Sequence, residues 1–354
     1  MLRDSANIQM FEAEWKNRKA RRAGLPEIVP MYDLNDVQGV MQHFVPCDYD
    51  HKIAVCDEIT IRFRDAGHLL GSSFIEIWLK EDGKEIKMVF SGDLGNGNRP
   101  LLKNPEIPES ADYLLIESTY GDRMHTMPPD YTEELAKLMA RTFGRGGNLV
   151  IPAFSVGRTQ EMLYYLKKIK NANMLPQFAD FEVYVDSPLA IEATNIFNKN
   201  VRECFNEDAL KRIMEGDNPI QFPGLRTSVS SDDSKMINFV KKPIVIISAS
   251  GMCEAGRIRH HLKHNLWRPE CTVLFVGYQV PGTLGNKLLN GVKEVKLFGE
   301  AIQVKAEIVN LPGMSGHADR QHLTDWVSQM KEKPKRIFVV HGEDSVCDEF
   351  AEHL

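Results

Sequence analysis

The chain has 354 residues, of which 43% are hydrophobic and 26% charged, a composition typical of a globular protein with room for two domains. Its formal net charge of −6 argues against a broad basic surface for nucleic acid, although a local basic site is compatible with it. No apolar run approaches the roughly 18 residues that a membrane span needs, so we expect no membrane partner. The six cysteines include no C-x-x-C pair, which is typical of reduced thiols and predicts a cytoplasmic protein.

The first predicted helix covers residues 5–23, with Ser5 as its cap and Gly24, followed by a proline, as its end. Its last turns are basic, which fits either a solvated helix end that complements the helix dipole or a contact for a polyanion. The basic residues are Lys16, Arg18, Lys19, Arg21 and Arg22. A second, short helix is predicted to begin near Asp33.

Alternating hydrophobic residues then predict strands as far as residue 122. These strands are expected at 59–63, 74–79, 85–90 and 113–116. A turn signal at 81–84 joins two of them as a hairpin. The pattern favours a mostly antiparallel sheet layered with helices.

Three motifs in this region each follow a predicted strand and carry an ionisable side chain. They are Asp-Ala-Gly-His-Leu-Leu-Gly-Ser at 65–72, Phe-Ser-Gly-Asp-Leu-Gly at 90–95 and Ile-Glu-Ser-Thr-Tyr-Gly-Asp at 116–122. They place His68, Asp93 and Glu117 at strand ends, where open sheets build their sites. Imidazole and carboxylate together suit zinc and related divalent ions, so we interpret His68 and Asp93 as metal ligands. The alternative is two polar turn residues.

After Gly121, strands of the buried type alternate with helices, which is typical of parallel β-α-β units and predicts a second, doubly wound domain. The strands are expected at 148–154, 181–185, 243–248 and 272–276, and helices at 131–143, 159–170 and up to 265. Short strands return from about 292 to 309, followed by a helix over 319–331 and a strand over 336–340. His317 precedes this helix and His341 follows this strand, so each is a further candidate at an element boundary.

Two loops that join a strand to a helix are candidate phosphate sites, because free N–H groups at a helix start bind anions. Their candidate residues are Ser155, Gly157, Arg158, Thr159, Ser250, Gly251 and Met252. No serine lies in a G-x-S-x-G motif, which argues against a serine hydrolase. His260 and His264 have the spacing of helical metal ligands, but the basic helix that carries them, with His261, favours a solvated face.

Taken together, these motifs resemble the β-CASP group of metallo-β-lactamase-fold nucleases over nearly the whole chain. Further matching motifs are Phe-Ser-Val-Gly-Arg-Thr-Gln-Glu (154–161), Asp-Ser-Pro-Leu-Ala (186–190), Ser-Ala-Ser-Gly-Met (248–252), Gly-Tyr-Gln (277–279), Gly-Thr-Leu-Gly (282–285), Ser-Gly-His-Ala-Asp (315–319) and Val-His-Gly-Glu (340–343). The resemblance implies an α/β fold in which a doubly wound parallel-sheet β-CASP domain is inserted into an αββα metallo-β-lactamase sandwich. The expected segments are 1–122 and 301–354 for the sandwich and 123–300 for the insertion.

By position, the resemblance implies that His68 binds a first zinc, Asp93 bridges two zincs and His341 binds the second. Glu117 would hydrogen-bond His317, and His317 would act as general acid. The family also has a His-x-His-x-Asp-His motif before the segment where this chain starts, and no such motif occurs here. We therefore expect a sequence clipped at both ends, a lactamase sheet with an unprotected edge, and a fragment with part or none of its two zincs and with impaired catalysis.

The expected function is zinc-dependent hydrolysis of RNA phosphodiester bonds by an endonuclease, with 5′-exonuclease activity as an additional mode. RNA is the expected partner, and self-association as a homodimer is left open. The alternative is a non-catalytic RNA-binding or scaffold subunit of an RNA-processing complex. Hydrolysis of a small ester or lactam is disfavoured by the large insertion.

Overall fold

The computed structural model describes residues 1–126 and 130–354. The chain forms two compact units, Met1–Asp48 and Tyr49–Leu354. In the part of the chain that the structure describes, no helix is both long and apolar enough to cross a membrane.

The first unit contains the two predicted helices, α1 (Leu2–Ala23) and α2 (Leu34–Met41). Gly24 ends α1 in the left-handed conformation with a φ of 65°, as its lack of a Cβ allows. Asp33 caps α2 by accepting backbone N–H bonds from the first turn. The predicted cap of α1 is wrong, because the helix begins before Ser5 and the Ser5 hydroxyl instead accepts a hydrogen bond from Tyr32.

The second unit combines strands with helices. Its strands are β1 (Lys52–Ala54), β2 (Ile59–Asp65), β3 (Ser73–Glu81), β4 (Lys84–Phe90), β5 (Tyr113–Glu117), β6 (Leu149–Pro152), β7 (Glu182–Val185), β8 (Leu225–Thr227), β9 (Ile244–Ser248), β10 (Thr272–Phe275), β11 (Glu294–Leu297), β12 (Glu300–Gln303), β13 (Glu307–Asn310) and β14 (Arg336–Val340). Its helices are α3 (Tyr131–Gly144), α4 (Arg158–Asn171), α5 (Pro188–Lys199), α6 (Val201–Cys204), α7 (Glu207–Met214), α8 (Ser231–Ile237), α9 (Ile258–Asn265), α10 (Leu284–Leu289), α11 (Arg320–Ser328) and α12 (Asp344–His353), with a short 3-10 helix at Pro176–Phe178.

The first sheet has the strand order β1-β2-β3-β4-β5-β14. Strands β1 to β4 are antiparallel, as predicted, whereas β5 runs parallel to β4 and β14 parallel to β5. Strands β2, β4, β5 and β14 therefore run in the same direction, and their carboxyl ends lie at one edge of the sheet. Val340 pairs with Glu117 across 223 residues of sequence, which brings His341 to this edge.

The second sheet is parallel throughout, with the order β13-β10-β6-β9-β7-β8, which confirms the doubly wound prediction. Strand β13 pairs with β10, so the second sheet extends beyond the boundary predicted at residue 300. The chain rejoins the first sheet only at β14. Strands β11 and β12 form a separate hairpin.

Helices cover one face of the first sheet, and the opposite face is partly exposed to solvent. One face packs Phe74 and Leu114 against α11 and α12, where Trp326 meets Phe74 edge-on at 5.5 Å and Phe350 is buried. The opposite face carries a cross-strand row of apolar side chains in which every residue is partly exposed and the last is 42% exposed. That row is Phe63, Ile75, Phe90, Leu115 and Phe338. This face is thus a partly open apolar surface.

Candidate functional site

The loops that follow β2, β4, β5 and β14 bring the predicted ionisable residues together. His68 Nε2 lies 4.0 Å from one carboxylate oxygen of Asp93, and His341 Nδ1 lies 3.5 Å from the other. The rings of His68 and His317 have centroids 4.4 Å apart. Ligand atoms of His68, Asp93 and His317 all lie within 4.8 Å of one another. Asp93 therefore lies between two imidazoles, and a third flanks it.

His68 is held in a tight loop after β2. Its N–H donates to the Ser72 hydroxyl, and the preceding Gly67 has a φ of 63° and donates to Asp65. Burial and the neighbouring His317 both lower the pKa of His68. Gly316 lies so close that a Cβ there would come within 2.8 Å of the His68 ring. The loop thus presents an imidazole at the sheet edge whose neutral form is favoured.

Glu117, which is buried, and His317, which is partly exposed, form a pair beside these residues, and the predicted hydrogen bond between them is present. His317 Nδ1 lies 3.2 Å from both Glu117 oxygens, and Glu117 also accepts the Leu94 N–H at 2.6 Å. Burial acts to raise the pKa of Glu117, but His317 outweighs it and the pKa is lowered. Burial likewise acts to lower the pKa of His317, but Glu117 and Asp93 outweigh it and that pKa is raised. The pair therefore favours the protonated form of His317.

His341 occupies the left-handed region with a φ of 55° and is the more exposed imidazole, its side chain being 57% exposed. The Ser118 hydroxyl donates to the Val340 carbonyl at 3.0 Å, which anchors the end of β14 beside β5. Thr119 Oγ1 lies 3.2 Å from His341 Nδ1. The turn after β5 thus aims His341 at Asp93.

The residues present fit a metal ion by their donor chemistry. His68 turns Nε2 toward Asp93, and among the residues described its buried Nδ1 has no hydrogen-bond partner. Metal-binding imidazoles must be neutral, and the lowered pKa of His68 favours that form. Asp93 supplies a carboxylate with one oxygen toward His68 and the other toward His341.

The sequence did not single out His125 and Asp319, which pack behind His317. His125 Nε2 donates to the His317 carbonyl at 3.0 Å, and Asp319 accepts the His125 backbone N–H at 3.0 Å. Asp319 also caps α11 and accepts a bond from His322 Nδ1 at 2.8 Å. Asp319 stood inside the quoted Ser-Gly-His-Ala-Asp motif, whereas nothing in the sequence distinguished His125.

The predicted phosphate loop at 155–159 contacts the loop that carries His68. A Cβ at Gly157 would lie 2.5 Å from Leu69, so glycine permits this approach. The hydroxyls of Ser155 and Thr159 are used internally, the first 3.2 Å from Ser187 Oγ and the second donating to the Phe154 carbonyl. The Arg158 side chain is buried and paired with Glu161, whereas the prediction placed phosphate on backbone N–H groups of this loop.

The second predicted phosphate loop, at 250–252, packs beside the first. Gly251 lies against the ring of Phe154, which is 46% exposed, and its carbonyl accepts a bond from Gln279 at 3.0 Å. Ser250 Oγ accepts the Ala255 N–H at 3.3 Å, and the Met252 carbonyl accepts the Gly285 N–H at 3.1 Å. Both loops are thus ordered by internal contacts at one edge of the second sheet.

The structure also bears on two interpretations of basic helices, those of α9 and of the end of α1. His261 is not on a solvated face, because it is fully buried and donates to Asp186 at 2.6 Å. In the first unit, the basic end of α1 is largely paired within the unit, which favours the solvated helix end over a polyanion contact. The pairs are Lys16 with Glu12, Arg18 with Glu14, and Arg21 with Glu14 and Glu27.

Residues 159–288 match the family profile of the Beta-Casp domain. Residues 301–354 match the profile described as the Zn-dependent metallo-hydrolase RNA specificity domain. Ribonuclease TTHA0252 of Thermus thermophilus is 35% identical over 315 residues, which cover 89% of this chain and 70% of that protein. The chain belongs to the β-CASP family of metallo-β-lactamase-fold ribonucleases. The resemblance inferred from the motifs is thereby confirmed.

Archaeal members of the β-CASP family are also similar to the chain. Transcription termination factor FttA of Methanocaldococcus jannaschii is 30% identical over 330 residues, covering 91% of this chain and 51% of that protein. FttA of Methanosarcina mazei is 31% identical over 330 residues, covering 90% and 50%. The chain thus spans about half the length of these archaeal relatives. The family is one of metal-dependent RNA hydrolases, and the profile over 301–354 associates it with zinc and RNA.

Proposed function

We propose that the edge formed by β2, β4, β5 and β14 is part of a two-zinc site for hydrolysis of RNA phosphodiester bonds. The observation that carries the proposal is Asp93, whose two oxygens face His68 and His341, with the Glu117–His317 pair alongside. His68 would hold one zinc, His341 the other, and Asp93 both. When bound, zinc supplies positive charge that polarises the phosphodiester and makes water more acidic.

The roles of the protein's own side chains in the reaction follow from the opposite pKa shifts of His68 and His317. His68, whose pKa is lowered, offers a neutral nitrogen to the metal, whereas His317, whose pKa is raised, retains a proton. His317 Nδ1 is held by Glu117, so Nε2 is the atom that can deliver a proton to the leaving 5′ or 3′ oxygen. Glu117 orients the ring and stabilises its charged form. His317 thus acts as general acid and Glu117 as its positioning partner.

The substrate would approach along the loops at 155–159 and 250–252. These loops lie at one edge of the second sheet, and Gly157 contacts Leu69 next to His68. Phe154 offers a half-exposed ring on which an unpaired base could stack. The Arg158 side chain is engaged internally, and the N–H groups of Arg158, Thr159 and Ser250 donate to backbone carbonyls. Phosphate contacts would therefore come from the other backbone N–H groups of these loops. We infer endonucleolytic cleavage of single-stranded RNA, with 5′-exonuclease activity as an additional mode.

The donors of these 354 residues are too few for two zincs. Structural and catalytic zinc sites use three or four protein ligands each, whereas His68, Asp93 and His341 would serve both ions. The family motif that supplies the other donors is absent from this sequence. We therefore propose that the 354-residue chain by itself binds zinc incompletely and cleaves RNA poorly.

The 354-residue chain is expected to bind fewer than two zincs and to leave labelled single-stranded RNA largely intact. Metal content after gel filtration, measured by mass spectrometry, and cleavage on denaturing gels test this. A His68→Gln variant is the control for residual zinc at the site. Two tightly bound zincs with normal turnover would contradict the proposal of impairment. Binding of RNA without any zinc would instead favour a non-catalytic RNA-binding subunit.

A further inference from the structure

A buried ion pair connects α4, which packs on the second sheet, to the chain segment that follows Asp93. Glu161 of α4 accepts hydrogen bonds from Nε and Nη2 of Arg99 through one carboxylate oxygen. The two side chains are 5% and 9% exposed. Burial acts to raise the pKa of Glu161, but Arg158 and Arg99 outweigh it and the pKa is lowered. Glu161 is therefore a buried anion that fixes the Arg99 guanidinium.

The remaining arm of Arg99 reaches the loop that carries His317. Arg99 Nη1 donates to the Ser315 carbonyl at 2.6 Å, two residues before His317. The same loop is bound to the segment after Asp93 by two backbone bonds, from Asn96 N–H to Gly316 O at 2.9 Å and from Ala318 N–H to Leu94 O at 2.8 Å. The segment after Asp93 therefore holds the loop on both sides of His317. The Arg99 side chain connects this segment to α4.

The loop needs such support, because residues 311–316 form neither helix nor strand and include two glycines. Gly316 cannot gain a side chain without striking the His68 ring, so the loop cannot be stiffened there by substitution. A charge-assisted hydrogen bond in the interior is strong and directional, and its donor is itself immobilised by Glu161.

We propose that Glu161 and Arg99 are positioning residues for His317, so that α4 determines where the general acid stands relative to His68 and Asp93. The assignment deepens the proposed function, since it takes His317 to be the acid. The proposal predicts that these two residues order the loop that carries His317, and this order can be measured without zinc or RNA. Failure of the proposed reaction and failure of this inference are therefore distinguishable.

Arg158 provides a matched control. It pairs with the other oxygen of the same Glu161 and is equally buried, with its side chain 9% exposed. Among the described residues, however, it makes no hydrogen bond to the loop from Gly313 to Ala318. Replacing Arg99 or Arg158 by methionine removes one buried cation in each case, but only the first removes the bond to Ser315.

The test is backbone hydrogen exchange of the full 354-residue chain, read at the Ala318 and Asn96 amides by NMR. In Arg99→Met we expect exchange at these amides to accelerate about 10- to 100-fold, the range for loss of a hydrogen bond to a charged group. Glu161→Gln should act in the same direction. Arg158→Met should leave both amides within about threefold of the wild type. Unchanged exchange in Arg99→Met, or equal acceleration in Arg158→Met, would overturn the inference.

A second measurement follows the His317 ring. At a pH high enough to make the His317 ring neutral, long-range proton–nitrogen NMR of the wild type should show the Nδ1–H tautomer that the bond to Glu117 requires. Arg99→Met should mix this form with the other tautomer, while Arg158→Met should not. If Arg99→Met fails to fold, Arg99→Lys keeps the charge opposite Glu161 but loses the planar fork that also reaches Ser315. It should fold and show intermediate exchange, and wild-type exchange in folded Arg99→Lys would overturn the inference.

Discussion

Replacing Asp93 with asparagine should lower the affinity of the chain for zinc by about 100-fold or more, the largest loss expected from a single substitution at this site. Changes in residues that only support a ligand already cost about 10- to 100-fold, and Asp93 is itself a proposed ligand. An amide has the same shape but neither the charge nor the second anionic oxygen that faces His341. Competition with a chromophoric chelator measures the affinity.

The histidines should then divide into two classes. His68→Gln and His341→Gln should weaken zinc binding by at least about tenfold, whereas His317→Gln should change it by less than about threefold. Distance alone would not predict this, because His317 belongs to the compact cluster with His68 and Asp93. We expect the difference because Glu117 and Asp93 raise the pKa of His317, which favours the protonated ring, and a protonated imidazole is a poor ligand. Equal losses in His317→Gln and His68→Gln would contradict the assignment of His317 as the acid.

The sequence nominated four candidate site residues because each stands where a strand ends beside a small residue. Glu117 ends β5, and His68, Asp93 and His341 follow β2, β4 and β14, which run in the same direction as β5. Their convergence depended on the pairing of β14 with β5, which is parallel and joins segments more than two hundred residues apart. Local pattern carries no information about such a pairing, and only the resemblance to a known family indicated it.

One error, at His261, and one unpredicted side-chain pairing, at Arg158, had signals in the sequence. Ile258, His261, Leu262 and Asn265 are the buried residues of α9, and they follow the i, i+3, i+4, i+7 spacing of a core-facing stripe. Reading the helix by its charge instead of this stripe placed His261 in solvent. Arg158 precedes Glu161 by one helical turn, the spacing of an intrahelical ion pair, which competes with any role in binding phosphate.

The second large effect that we expect is a loss of stability when Asp186, the partner of the buried His261, is replaced by asparagine. Asp186 is fully buried and accepts three side-chain hydrogen bonds, from Arg257 at 2.7 Å and from His261 and Ser234 at 2.6 Å each. Asp186→Asn leaves the Arg257 guanidinium, whose side chain is 22% exposed, without its counter-charge. Breaking a buried pair in this way costs about 3–5 kcal/mol, so we expect a loss of that size at pH 7, measured by urea unfolding.

The pH dependence of the stability lost in Asp186→Asn shows how much of it comes from the carboxylate charge. Burial acts to raise the pKa of Asp186, but the bonds from His261, Ser234 and Arg257 outweigh it and lower the pKa from 3.8 to about 2. A carboxyl whose folded-state pKa is depressed stabilises the fold above its unfolded-state pKa, and the contribution is lost as the pH falls through the folded-state value. The gap between wild type and Asp186→Asn should thus narrow by about 1 kcal/mol from pH 5 to pH 3, and by about 2 kcal/mol at pH 2.

Asp232→Asn is the matched control, since Asp232 lies on the same helix as Ser234 but is 88% exposed and pairs with Lys235 at the surface. Its effect should stay within about 0.5 kcal/mol at every pH, as expected for a solvent-screened pair. A gap for Asp186→Asn that did not vary between pH 5 and pH 3 would mean that the loss comes from packing alone. The carboxylate charge, held by side chains from α8, α9 and the loop before α9, would then not be what stabilises this edge of the second sheet.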